Sequence, residues 1–368
     1  MKKRSLFLTF LLMVTVGLLA ACGSSESSGE GEGDSGSSEG EGTTDFKVAM
    51  VTDVGGVDDK SFNQSAWEGL KALGSEEGLT EGEGFTYLQS QDESDYKTNL
   101  NQLIKRDYNL VFGIGYKLHD AIEEVAGQQS DKQFAIVDDV VEQDNVASIM
   151  FEEQQGSFLV GVAAAMKSES GKVGFIGGME SPLITKFEVG FVAGVKSVNP
   201  DAEVDVQYAG AFDQPATGKS IASTMYSSGV DVIYHASGAT GNGAFAEAKD
   251  RKKNDPSENI YMIGVDRDQH EEGEVPGEDT NITLTSMVKR VDVAVQDVSK
   301  QAMDGEFPGG EVLQFGLDDE AISVATTNEE AYTDEIASKV DEWKEKIKND
   351  ELTVPKTQDE LQEYVSSL

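Results

Sequence analysis

Lys47-Val48-Ala49-Met50-Val51-Thr52 and Lys172-Val173-Gly174-Phe175-Ile176 are two short β-rich runs, and the reading of the whole chain turns on their kinship. Each opens a series of runs in the same order. Leu110-Val111-Phe112-Gly113-Ile114 has its counterpart in Val230-Asp231-Val232-Ile233-Tyr234, and Phe134-Ala135-Ile136-Val137 in Tyr261-Met262-Ile263-Gly264-Val265, each pair roughly 125 residues apart. So constant a shift predicts two lobes of like topology. Helically spaced stretches lie between the runs: Ser61-Phe62-Asn63-Gln64 reads as a capping box ahead of Ala66, Leu70 and Leu73, a second helix surrounds Leu100, Leu103 and Ile104, and a third starts near His119. Apolar strands alternating with helices predict an α/β fold of doubly wound parallel sheets covered on both faces.

Outward from these runs, Phe151 to Met166 reads as a buried helix leading into the second lobe, and it is too short to span a bilayer. The chain is expected to return to the first lobe near Thr283 to Val295, and Thr333 to Lys348 reads as an amphipathic surface helix. At the other end, Lys2, Lys3 and Arg4 precede an apolar run from Leu6 to Leu19, and Leu19-Ala20-Ala21 stands before Cys22. That is the pattern of a secretory leader with a lipoprotein cleavage site. Cys22 is the one cysteine in the chain, so no internal disulfide can form and acylation is its expected fate. Residues 23–44 are Gly, Ser and Glu with almost nothing apolar, a composition that cannot bury enough surface to fold. The expected organisation is a signal peptide over 1–21, a flexible tether over 22–44, a first lobe of 45–150 plus about 283–312, and a second of 151–282 plus about 313–368, joined by a hinge.

The formal charge is −39, and all 68 acidic residues follow Cys22, so losing Lys2, Lys3 and Arg4 takes the mature chain to −42. A polyanionic partner would be repelled, which excludes nucleic acid. Catalytic groupings are sparse. His119, His235 and His270 are the three histidines; no His-x-x-x-His and no Cys-x-x-Cys is present, and no Gly-x-Ser-x-Gly elbow follows a β-rich run, so neither a metal, a cofactor nor enzymatic chemistry is expected. His235 at a strand end reads as a satisfied core residue. Gly238-Ala239-Thr240-Gly241-Asn242-Gly243 lacks the Lys-Ser/Thr of a phosphate cradle and reads as a close approach of backbone to a neutral ligand.

In open α/β sheets ligands sit beyond the carboxyl ends of the strands. The segments there are Asp53-Val54-Gly55-Gly56, Gly115-Tyr116 and Asp138-Asp139 in one lobe, and Gly177-Gly178, Ser237 to Gly241 and Asp266-Arg267-Asp268 in the other. Facing one another, they would line a single cleft.

Longer strings carry a resemblance. Val51-Thr52-Asp53-Val54-Gly55-Gly56-Val57-Asp58-Asp59-Lys60-Ser61-Phe62-Asn63-Gln64 resembles the opening motif of the basic membrane protein family, nucleoside-receptor-type lipoproteins of ABC transporters. The likeness extends through Gly156-Ser157-Phe158-Leu159-Val160-Gly161, Gly171 to Gly178, Gly264-Val265-Asp266-Arg267-Asp268-Gln269 and Leu284 to Arg290, and so covers essentially all that follows the tether. It implies a type I periplasmic-binding-protein fold closing on a nucleoside, a purine nucleoside first, with ABC permease subunits as partners. A monomer held by lipid on Cys22 at the outer face of the cell membrane is expected. It also implies that Phe62 and Phe212 stack on the base, that Asp53 and Asp138 read its edge, that Asp266 accepts the ribose hydroxyls, that Lys289 serves the sugar or balances Asp266, and that Gly241 admits the ribose. Asn63 and Met179 are further candidates, and Asp139 beside Asp138 leaves open which carboxylate points inward. Without the resemblance, both phenylalanines read as core, and the aspartates read equally as caps or solvated loop ends and as cleft residues. The alternatives are a receptor for a sugar or signalling molecule, a tethered nucleoside sensor, and a nucleoside hydrolase, whose chemistry needs a carboxylate-held metal.

Overall fold

The computed structural model describes residues 45–368; the expected signal peptide, the tether and Cys22 lie outside the described residues. In chain order the strands are β1 (Val48–Val51), β2 (Phe85–Leu88), β3 (Leu110–Ile114), β4 (Gln133–Val137), β5 (Val146–Phe151), β6 (Lys172–Gly177), β7 (Glu203–Tyr208), β8 (Val232–Ala236), β9 (Tyr261–Asp266), β10 (Thr283–Lys289), β11 (Val312–Phe315) and β12 (Ile322–Val324). They build two six-stranded sheets of orders β11-β5-β4-β3-β1-β2 and β12-β10-β9-β8-β6-β7. The orders are equivalent strand for strand, as the repeat predicted. Neighbours run parallel everywhere except β12, which is antiparallel to β10.

Central strands read as continuous apolar runs because helices cover both of their faces. Val48, Ala49, Met50 and Val51 are all fully buried. Burying each larger apolar side chain contributes about 1.5–3 kcal/mol relative to exposure, so such a run cannot be displaced to a surface cheaply. The covering helices are α1 (Phe62–Glu77), α2 (Asp95–Lys105) and α3 (His119–Gln128) on the first sheet, and α4 (Glu153–Lys167), α5 (Pro182–Val198), α6 (Pro215–Ser227) and α7 (Ala239–Asn254) on the second. Of the remainder, α8 (Val291–Met303) packs on α1, α9 (Asp334–Lys348) on α4 and α10 (Gln358–Ser367) on α5. Among the described residues no helix is long and apolar enough to cross a membrane.

Three local expectations are corrected. Ser61 makes no side-chain cap to α1. The buried carboxylate of Asp59 takes that role instead, accepting from the backbone N–H groups of Ser61 (3.0 Å), Asn63 (2.8 Å) and Gln64 (3.1 Å). A carboxyl group that reaches three backbone donors outcompetes a hydroxyl that reaches one. The helix expected from Phe151 starts at Glu153, because Phe151 still pairs in β5 against β11. The return to the first lobe comes at Arg290 and not Thr283: β10 completes the second sheet and α8 begins the return. β11 then extends the first sheet to Phe315, and β12 goes back to the second. The segment from Thr283 to Val288 is β-prone, and composition does not say which sheet such a strand joins.

Candidate functional site

The carboxyl ends of β1, β3, β4, β8, β9 and β10 converge on one cavity. Asp53, Phe62, Gly115, Tyr116 and Asp138 come to it from the first lobe. The second lobe supplies Leu183, Ile184, Phe187, Phe212, Ser237 and Asp266, together with Lys289 at the end of β10.

Phe62 is the first residue of α1, and the Asp59 cap fixes where that helix starts, so its ring is delivered from a rigid helix end. Phe212 sits in the connection between β7 and α6 and needs other anchors. Its carbonyl accepts from the Thr240 N–H at 2.9 Å, and the Thr240 hydroxyl donates to Ala211 O at 2.9 Å while accepting from Gln214 N at 2.9 Å. The ring lies over Gly178, where a β-carbon would stand 2.2 Å from two ring carbons, so no larger residue fits beneath it. Phe62 and Phe212 thus reach the same cavity from opposite lobes. Tyr116 meets Phe212 edge-on, with ring centroids 6.4 Å apart and planes at 77°.

Asp53 is 8 % exposed, and its Oδ1 accepts from Gly55 N and Asn63 Nδ2, each at 2.8 Å. Burial outweighs those hydrogen bonds and pushes its carboxyl up to about 6. Asn63 is not on the wall: it ties Asp53 to Asp59, whose Oδ2 its amide reaches at 3.0 Å. Asp138 lines the cavity, whereas Asp139 faces His119 Nδ1 at 3.0 Å on the outside. Asp138 and Asp266 occupy equivalent strand ends and share a left-handed backbone, with φ of 70° and 65°. Aspartate tolerates that conformation better than most residues, and both chains turn there so that the carboxylate points into the cleft.

Lys289, 1 % exposed, joins the two halves. Its ammonium lies 2.6 Å from Asp138 Oδ2, 3.7 Å from Glu153 Oε1 and 3.8 Å from Asp266 Oδ1, and 4.8 Å from the centre of the Phe62 ring. Burial works against the ammonium, but Asp138, Asp266 and Glu153 outweigh it and hold its pKa above the ordinary value. Burial pushes the Asp266 carboxyl up to about 7, with Lys289 opposing and Asp138 adding to the rise. The expected balance of Lys289 with Asp266 is therefore secondary, and its tight partner is Asp138 of the other lobe.

Two candidates stand off the wall. Met179 follows β6 half-buried and outside the cavity lining. Gly241 lies in the first turn of α7 against His235, whose Nδ1 would be 2.1 Å from a β-carbon there; Gly238 is the residue of that run at the wall. His235 is buried, and burial lowers its pKa to about 4, so it is a neutral core residue. Leu183, Ile184 and Phe187 on α5, and the pair Glu153 and Lys186 behind Lys289, were not anticipated. Apolar residues on a helix face read as core, and no signal in the sequence separates the two cases. Among the described residues no group of His, Cys, Asp or Glu is arranged to hold a metal ion.

Known proteins match this description. The family model for PnrA-like ABC transporter substrate-binding proteins matches residues 46–358. A CD4+ T-cell-stimulating antigen of Listeria monocytogenes is 52% identical over 96% of this chain and 99% of its own length, and an ABC transporter nucleoside-binding protein, BmpA, of Lactococcus lactis is 43% identical over the same shares. The crystal structure of an ABC transporter solute-binding protein from Aeropyrum pernix superposes with a TM-score of 0.75 at 26% identity, over 88% of this chain and 98% of that one. With its type I periplasmic-binding-protein architecture and these matches, the chain belongs to the PnrA-like family of ABC transporter substrate-binding proteins, extracytoplasmic receptors rather than enzymes.

Proposed function

We propose that the cleft takes a nucleoside, a purine nucleoside first, and that the protein presents it to the permease while anchored by lipid on Cys22. The observation that carries this reading is the delivery of Phe62 and Phe212 to one cavity from opposite lobes, with Asp53, Asp138 and Asp266 lining the same cavity. Two phenyl faces suit a flat heterocycle, and stacking contributes about 1–3 kcal/mol per base. Carboxylates in a dry site accept strongly from N–H and O–H donors, the groups that a purine edge and a ribose present. Asp53 and Asp138 are assigned to the base, and Asp266 to the ribose hydroxyls. Gly238, rather than Gly241, is the backbone position suited to approach the sugar. The nucleoside-binding relative from Lactococcus lactis supports the substrate class.

Isothermal titration of the purified protein with inosine, guanosine, adenosine, ribose and free bases is the test. Nucleosides should bind and ribose alone should not; binding ribose as well as inosine would sink the base sandwich. For the anchor, the wild-type protein should partition into detergent and Cys22→Ala should remain in the aqueous phase.

A further inference from the structure

Arg267, Gln269 and Asn242 reach from the second lobe across the cleft, none of them lines the cavity, and all land on one stretch of the first lobe, Asp59 to Glu68. The Arg267 guanidinium donates from Nε and Nη2 to both oxygens of Glu68, at 3.0 and 2.9 Å. The Gln269 amide donates to Lys60 O at 3.0 Å, and the Asn242 amide donates to Asp59 O at 3.2 Å.

Both sides of this contact are prepared. Lys60 has φ of 64°, a left-handed turn just ahead of α1. Because the Asp59 carboxylate already satisfies the first N–H groups of α1, that segment offers backbone carbonyls to the other lobe. Gln269 is held in one orientation, since its Oε1 accepts from Val265 N at 2.9 Å and so its Nε2 must face Lys60. The same Oε1 lies 2.8 Å from His235 Nε2, and a neutral His235 therefore carries its proton there, leaving Nδ1 to accept from Ser237, a wall residue. A chain of hydrogen bonds runs from the cavity wall through His235 and Gln269 to the first lobe.

We propose that Arg267, Gln269 and Asn242 form a clasp that holds the lobes closed and seats the start of α1, making them positioning residues that act through Phe62. The clasp governs retention of the ligand and not its recognition. Where the probe is a nucleoside, the proposal rests on the reading given above; the lobe-closure arm does not.

The experiment uses the full-length mature protein with Arg267→Ala, Gln269→Ala and the charge-exchanged pair Glu68→Arg with Arg267→Glu. Small-angle scattering without ligand should show a larger radius of gyration for Arg267→Ala than for wild type. Stopped-flow dissociation of inosine should be about tenfold faster, with the association rate nearly unchanged. The thermal midpoint should hold, because Arg267 touches no core, and the exchanged pair should recover most of the slow dissociation. Unchanged scattering and dissociation in Arg267→Ala would overturn the clasp, as would an exchanged pair no slower than the single variant. If wild type fails to bind inosine, the nucleoside reading falls, and the scattering arm still decides the clasp.

Discussion

The two lobes share a topology, and they fill it differently. At the ends of β1 and β4 the first lobe places Asp53 and Asp138, of which Asp53 is tied through Asn63 to the buried Asp59 and Asp138 is gripped by Lys289. At the matching ends of β6 and β9 the second lobe places Gly178 and Asp266, and α5 adds Leu183, Ile184 and Phe187. The aliphatic part of the wall thus comes from the second lobe, while both lobes contribute an aspartate and an aromatic ring. Their phenylalanine rings at the cavity are also mounted differently: Phe62 on a helix end, Phe212 on a connection stapled by Thr240. A repeated fold supplies equivalent positions, and the side chains at them divide the labour.

Removing the residue that binds the two halves should have the largest effect. Lys289→Ala leaves Asp138, Glu153 and Asp266 without their shared cation, and urea unfolding should report a loss of about 3–5 kcal/mol. An unchanged midpoint would mean the three carboxylates are protonated or solvated and the lobes are not joined through this lysine. Next come the rings. Phe62→Ala and Phe212→Ala should each weaken inosine binding by at least about tenfold in titration calorimetry. If only one does, the sandwich is one-sided and the lobes are less alike than their strand ends suggest.

Acid should act through the second lobe in particular. If Asp266, pushed up to about 7, takes the two ribose hydroxyls as proposed, it must be ionised to accept both, and ligand binding should expel its proton. Affinity should therefore rise with pH through about 7 and be about tenfold weaker at pH 6 than at pH 8. Asp266→Asn should weaken binding and flatten that part of the profile. The sign is opposite for the unliganded fold: the native state keeps a proton that the unfolded chain, at 3.8, has released, so stability falls as pH rises between these values. The smallest expected effect is on the mounting of Phe212. Thr240→Val removes its hydroxyl bonds and should cost about 1 kcal/mol of binding, roughly fivefold in Kd, with no effect on the pH profile.

Much of the site was legible because strand ends are legible. Asp53, Asp138 and Asp266 follow or close apolar runs, at the carboxyl ends of parallel strands where such sheets bind ligands. Phe62 and Phe212 carried no such mark, since a phenylalanine at a helix start or after a strand reads equally as core. The resemblance singled them out, and the geometry brought both to the wall. Gly241 and Met179 went the other way: nearness in sequence to the cleft did not bring them to its surface, because a helix begun at Ala239 turns Gly241 inward onto His235.

The sequence by itself determined the strands, their doubling at a constant interval, the parallel order and the aspartates at the strand ends, because apolar periodicity and chain direction are local properties. Only the tertiary structure decided which sheet receives β10, which carboxylate Lys289 grips, and which apolar helix face is cavity wall rather than core. Those outcomes depend on which segments meet in space, β10 with β9 in one case and Lys289 with Asp138, 151 residues away, in another, and no local pattern encodes the partner.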